Sequence, residues 1–173
     1  MSVDPGTADA RGSVGAVPSE HFRLVDPRGP RFGAGVTALV LALVLITGSG
    51  WLLAAQAVVF AIGAAAGLAY TPQGQLYRRF VQPGLGPPTE LEPEAPPRFA
   101  QLVGFVVAVL GAAGFALGAP VLGFAAAAAA FVAAFLNAAF GWCLACEVYL
   151  LFRRSVPRRL PAAVRQPARE DAS

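Results

Sequence analysis

Four stretches of this chain carry no charged side chain and are almost wholly apolar, and that pattern constrains the fold more than any other feature. A soluble domain disperses its apolar residues at helical or strand spacing; here they are concentrated into runs of membrane-spanning length. The first run, 32–47, reaches roughly 24 Å as a helix, and the second, 51–70, roughly 30 Å. The third covers 99–117. The fourth begins at Val121 and continues without a proline to Phe152, beyond what a bilayer needs, so the span is taken as about 121–145. The expectation is an all-α membrane protein with four transmembrane helices.

Connections agree with that reading. Gly48-Ser49-Gly50 and Gly118-Ala119-Pro120 are short and uncharged, whereas 71–98 is rich in proline and carries Arg78, Arg79 and three glutamates. The thirteen basic residues are all arginines. They fall in the N-terminal tail, the middle connection and the C-terminal tail, and none lies in the two short turns. By the positive-inside rule, both tails and the middle connection are expected in the cytoplasm of a bacterial inner-membrane protein. The domain reading is a disordered tail at 1–30, a transmembrane domain at 31–154 and a second disordered tail at 155–173.

An internal echo points to two parallel helical-hairpin repeats. Asp26-Pro-Arg-Gly-Pro-Arg-Phe32 precedes the first span and Glu94-Ala-Pro-Pro-Arg-Phe99 the third, and each introduces a hairpin with a glycine turn. Two unrelated interfacial anchors would read the same way.

Small residues supply the means of helix association, since lipid offers no hydrophobic drive. Gly63-x-x-x-Gly67 and Gly114-x-x-x-Gly118 are the packing candidates, with Gln56 and Asn137 as interhelical hydrogen-bonding groups; a homo-oligomer is compatible with them. No span carries Asp, Lys, Arg or His near its middle, which argues against a pump, proton relay or voltage sensor. The net charge of +3 does not suggest nucleic acid, because the arginines flank apolar segments instead of forming a stripe among aromatics. The lipid bilayer is the expected partner, and nucleic acid is not.

Both cysteines of the chain lie in Gly141-Trp142-Cys143-Leu144-Ala145-Cys146-Glu147. On a helix, Cys143, Cys146 and Glu147 share a face, so three readings stay open: small packing residues, a thiol or sulfur relay, or part of a metal site. Two thiols do not complete a zinc site, so His21, Glu147 or a second subunit would have to contribute; no cofactor is expected. If the fourth helix is continuous, the pair sits near its C-terminus, where the dipole and Glu147 disfavour thiolate and only Arg153 and Arg154 offset them. A break at Gly141 would put Cys143 near a new N-terminus and reverse that argument. Cytoplasmic placement implies reduced thiols at rest.

Asp-Pro-Arg-x-x-Arg-Phe at 26–32, Pro-Arg-Phe at 97–99 and Phe-Leu-Asn-Ala-Ala-Phe-Gly-x-Cys-x-x-Cys-Glu at 135–147 together resemble a family of small bacterial membrane proteins, domain of unknown function 4395. The resemblance covers about 25–154. It implies membrane location, no assigned catalytic residue, and neighbours of thioredoxin-like or rhodanese-like type as partners. The functional expectation is a non-enzymatic membrane scaffold or subunit, with a membrane thiol-redox or sulfur-relay protein as the alternative.

Overall fold

The computed structural model describes residues 24–86, 88 and 91–155. The expected tails and His21 therefore lie outside the described residues, apart from a few positions at their inner edges. Helix α1 spans Arg28–Thr47, α2 Gly50–Ala65, α3 Pro72–Leu76, α4 Gln82–Leu85, α5 Ala95–Ala116, α6 Pro120–Phe140 and α7 Leu144–Ser155. A 3-10 turn at Leu68–Tyr70 and a π-helical turn at Tyr77–Val81 complete the connection between α2 and α5.

Among the described residues three helices, not four, are long and apolar enough to cross a membrane: α1, α5 and α6, with 20, 22 and 21 residues. The expected second span, 51–70, is the one that fails. Helix α2 stops at Ala65 after 16 residues, about 24 Å. Its end is imposed from elsewhere in the chain. Gly67 takes φ +108, a conformation that strains a residue bearing Cβ and turns the backbone out of the helix. The Arg98 guanidinium, at the start of α5, donates to the carbonyls of Ala64 (2.9 Å) and Ala65 (2.7 Å), satisfying acceptors left open at the helix end. Glu94 accepts from the Leu68 N–H at 3.1 Å and fixes the chain as it leaves.

The fourth apolar run is likewise interrupted. Gly141 adopts a left-handed conformation (φ 71) and its N–H closes α6 on the Asn137 carbonyl at 3.0 Å. Helix α6 thus ends at Phe140, short of the expected 145, and α7 is a separate element.

Helices α1 and α6 pack along one another, as do α2 and α5, and α5 also packs against α6. Leu41 and Val44 of α1, Leu53, Ala57 and Phe60 of α2, Ala108 of α5 and Ala127 of α6 form the buried core. Close approach through glycine sets these contacts. A Cβ added at Gly111 would stand 2.8 Å from Leu53 Cδ2 and 2.9 Å from Ala126 Cβ, and one at Gly114 3.0 Å from the Gly123 nitrogen. The two hairpins are not equivalent halves, because α2 is shorter than α6 and touches α1 far less than α5 touches α6. Outside the core the surface is apolar in the way lipid requires: Ile46 is 80% and Trp51 88% exposed.

The chain turns tightly at one end of the bundle, through Gly48–Ser49 and Leu117–Ala119. At the other end lie the start of α1, the segment from 66 to 94, the start of α5 and the α6–α7 break. A two-residue antiparallel ladder, Leu24–Val25 against Glu92–Pro93, ties the entry of α1 to the entry of α5 there. Every described arginine belongs to this end.

Candidate thiol site

Cys143 is the residue immediately before α7, and its carbonyl accepts the first helical hydrogen bond, from the Glu147 N–H at 3.1 Å. Its side chain therefore occupies the position from which an N-terminal cap reaches the free N–H groups of the first turn. Cys146 lies in that first turn. The Cα atoms of the two cysteines are 5.2 Å apart and their sulfurs are at disulfide distance. Both residues are partly exposed, and Trp142 before them is 54% exposed.

The electrostatics are the reverse of those expected for a continuous fourth helix. A C-terminal dipole would disfavour thiolate; here the positive end of α7 faces Cys143. Arg153 and Arg154, the anticipated counter-charges, are in the last turn of α7, roughly 15 Å along the axis from Cys143. Arg153 instead lies over the Tyr149 ring at 5.9 Å. At the break itself stands Arg31 of α1, whose guanidinium lies beside Gly141: a Cβ at Gly141 would be 3.3 Å from Arg31 Cζ. Nothing in the local sequence of Arg31 marks it as a neighbour of residue 141. Glu147, also in the first turn, is exposed and adds a negative charge on the same helix end.

The pair is held to the bundle by α5. Tyr149 packs on Phe99 with ring centroids 5.5 Å apart, so α7 is anchored within one turn of Cys146. Among the described residues, no group of three or more His, Cys, Asp or Glu side chains is placed to hold a metal ion.

The packing candidates separate in space. Gly63 is buried on α2, facing the Gln101 side chain, and Gly67 lies past the helix end against Glu94. Gly114 meets α6 at Gly123, while Gly118, at φ +76, has nothing within 4 Å and serves the turn. Gln56 is buried and its Nε2 has no partner among the described residues. Asn137 contributes its backbone carbonyl to the α6 terminus.

The family model described as "Domain of unknown function (DUF4395)" matches residues 25–154, most of the chain, and the chain belongs to that family. No curated protein and no solved structure matches it. It is a multi-pass membrane protein whose Cys-x-x-Cys pair lies at disulfide distance.

Proposed function

We propose that this DUF4395 member is a membrane thiol–disulfide exchange protein, with Cys143 and Cys146 as its working pair. The observation that carries the reading is the position of the pair: at disulfide distance, on the N-terminus of a helix that begins after the Gly141 break. Unpaired N–H groups there favour the Cys143 thiolate, and Arg31 adds positive charge nearby. A packing role for the cysteines does not account for that placement, whereas exchange chemistry needs it.

The step balances without a cofactor. A thiolate of a partner dithiol attacks Cys143 Sγ, the Cys143–Cys146 bond breaks, and Cys146 leaves as thiolate and takes a proton. The partner's second thiolate then attacks its own sulfur in the mixed disulfide and releases Cys143. The partner has lost two electrons and two protons and this protein has gained them. A small dithiol protein of thioredoxin-like type is the partner class proposed, and the exposed Trp142 gives it an apolar surface beside the sulfurs. The arginine-bearing end is proposed to face the cytoplasm, on the positive-inside rule. In that compartment a disulfide is more often transient and catalytic than structural.

The test is alkylation in native membranes with a maleimide that cannot cross the bilayer, over a series of dithiothreitol redox buffers. The expected result is a reversible two-electron transition at Cys143 and Cys146, labelled from the cytoplasmic side. Cysteines that never label after reduction, or that label independently of the redox buffer, would sink the reading and leave a scaffold as the function.

A further inference from the structure

The arginine-bearing end also holds a cavity of about 160 Å³, between the first turns of α1, the segment from 68 to 82, and Gln101 of α5. It is unrelated to the cysteine pair. One probe sphere of roughly 10–15 Å³ suffices for a water, so this space admits a group of several heavy atoms. Asp26, Thr37, Gln73, Tyr77, Arg78 and Gln101 supply its polar wall.

Two features of that wall point to a ligand carrying both charges. The Asp26 carboxylate accepts from the Tyr77 hydroxyl (2.9 Å) and the Arg28 backbone N–H (2.9 Å), both of which leave its negative charge in place. Gln73 is only 7% exposed and its Oε1 has no hydrogen-bond partner, although a buried acceptor is normally satisfied. Asp26 and Gln73 together want N–H donors. Arg78 lines the same cavity and is itself exposed, offering a guanidinium to an anion. Asp26 and Arg78 are not paired with each other among the described residues, so an ion with one charge would leave the other lining group uncompensated. Burial, then the hydrogen bond and charge of Asp26, raise the Tyr77 phenol above its ordinary value, so Tyr77 keeps its proton and remains a donor to Asp26.

We propose that the cavity binds a phosphoethanolamine group, its ammonium toward Asp26 and Gln73 and its phosphate toward Arg78. The cavity lies at the charged end of the bundle, where headgroups of the surrounding lipid are concentrated, and phosphatidylethanolamine is the natural source. A free phosphoethanolamine solute has the same chemistry.

Native mass spectrometry of the full chain, released from membranes containing phosphatidylethanolamine, phosphatidylcholine and phosphatidylglycerol of matched acyl chains, tests the assignment. Phosphatidylcholine keeps the charge but has no N–H, so about ten-fold preferential retention of phosphatidylethanolamine is expected for the loss of one charge-assisted hydrogen bond. Asp26→Asn should abolish the preference, and Arg78→Gln, which removes the partner of a phosphate that all three lipids carry, should lower the retention of all of them. Stabilisation of delipidated wild type by millimolar phosphoethanolamine, with no lipid preference, would assign the same site to the solute. Equal retention of all three lipids with no effect of the solute would overturn the proposal. So would a preference that survives Asp26→Asn, or undiminished retention of all three lipids by Arg78→Gln.

Discussion

The Arg98 guanidinium donates to the backbone carbonyls of both Ala64 and Ala65, across 34 and 33 residues of sequence, so the first turn of α5 closes the last turn of α2. A bond network of that kind uses charge where a helix end would otherwise present bare acceptors. Arg98→Gln is expected to lower unfolding stability by about 2 kcal/mol, the scale of hydrogen bonds to a charged group. Lysine, with a single ammonium and no planar fork, should restore only part of the loss. Thermal unfolding in detergent micelles, with proteolysis monitored between Ala66 and Thr71, checks both outcomes.

Glycines at the α5–α6 contact differ sharply from those in the turn. Gly111→Leu must displace Leu53 and Ala126, and overpacking of this kind costs about 1–3 kcal/mol. Gly118→Ala meets no neighbour and pays only for φ +76, about 1–2 kcal/mol. Adding bulk at 118, from alanine to leucine, should therefore change stability little, whereas the same series at 111 should fall steeply.

The two cysteines are expected to fail differently. Cys146→Ser leaves the Cys143 thiolate able to attack the disulfide of an oxidised partner, giving a mixed disulfide that residue 146 cannot resolve, so an adduct should accumulate on non-reducing gels. Cys143→Ser should give at least ten-fold less adduct, because Cys146 lacks the capping position at the start of α7. Equal trapping by the two variants would contradict the assignment of Cys143 as the attacked sulfur.

Gly141→Ala forces a side chain into the left-handed region beside Arg31. About 1–2 kcal/mol of destabilisation is expected. If the break is what gives the pair its helix N-terminus, the reduction potential of the Cys143–Cys146 couple should shift as well, which an equilibrium titration against glutathione reads directly.

Tyr77 makes a pH prediction. Its folded value is raised, so the folded state holds the phenolic proton after the unfolded chain has released it. The stabilisation is complete below about pH 10, the ordinary tyrosine value, and is lost as pH rises from there through the folded value. Tyr77→Phe should remove this part of the alkaline decline. Absorbance titration near 295 nm, as a difference between wild type and variant, should show Tyr77 ionising above pH 10.

Much of this arrangement can be read from the chain itself, and the misses have a common cause. The apolar runs at 32–47, 99–117 and 121–145 correspond to α1, α5 and, as far as Phe140, α6, because composition over twenty residues decides whether a helix suits lipid. Where a helix ends is decided by single contacts. The run 51–70 is uncharged throughout, yet α2 ends at Ala65 because Arg98 and Glu94, distant in sequence, meet the chain there. Gly141 is ambiguous for a different reason. Glycine is tolerated inside membrane helices and is also the preferred left-handed cap, so its sequence context permits both a continuous helix and a break. The cysteine motif was visible, but its chemistry depended on which of these holds. Arg31 illustrates the same limit, since its approach to Gly141 follows from the packing of α1 on α6 and from no local pattern.

The tight turns at Gly48–Ser49 and Leu117–Ala119 leave the far side of the bundle with almost no surface of its own. What that side presents is short and apolar: Trp51, Leu117 and Val121 are each more than 80% exposed there. The described part of the molecule is in effect a fixture with a single working side: thiols, cavity and arginines all gather at one end of the bundle.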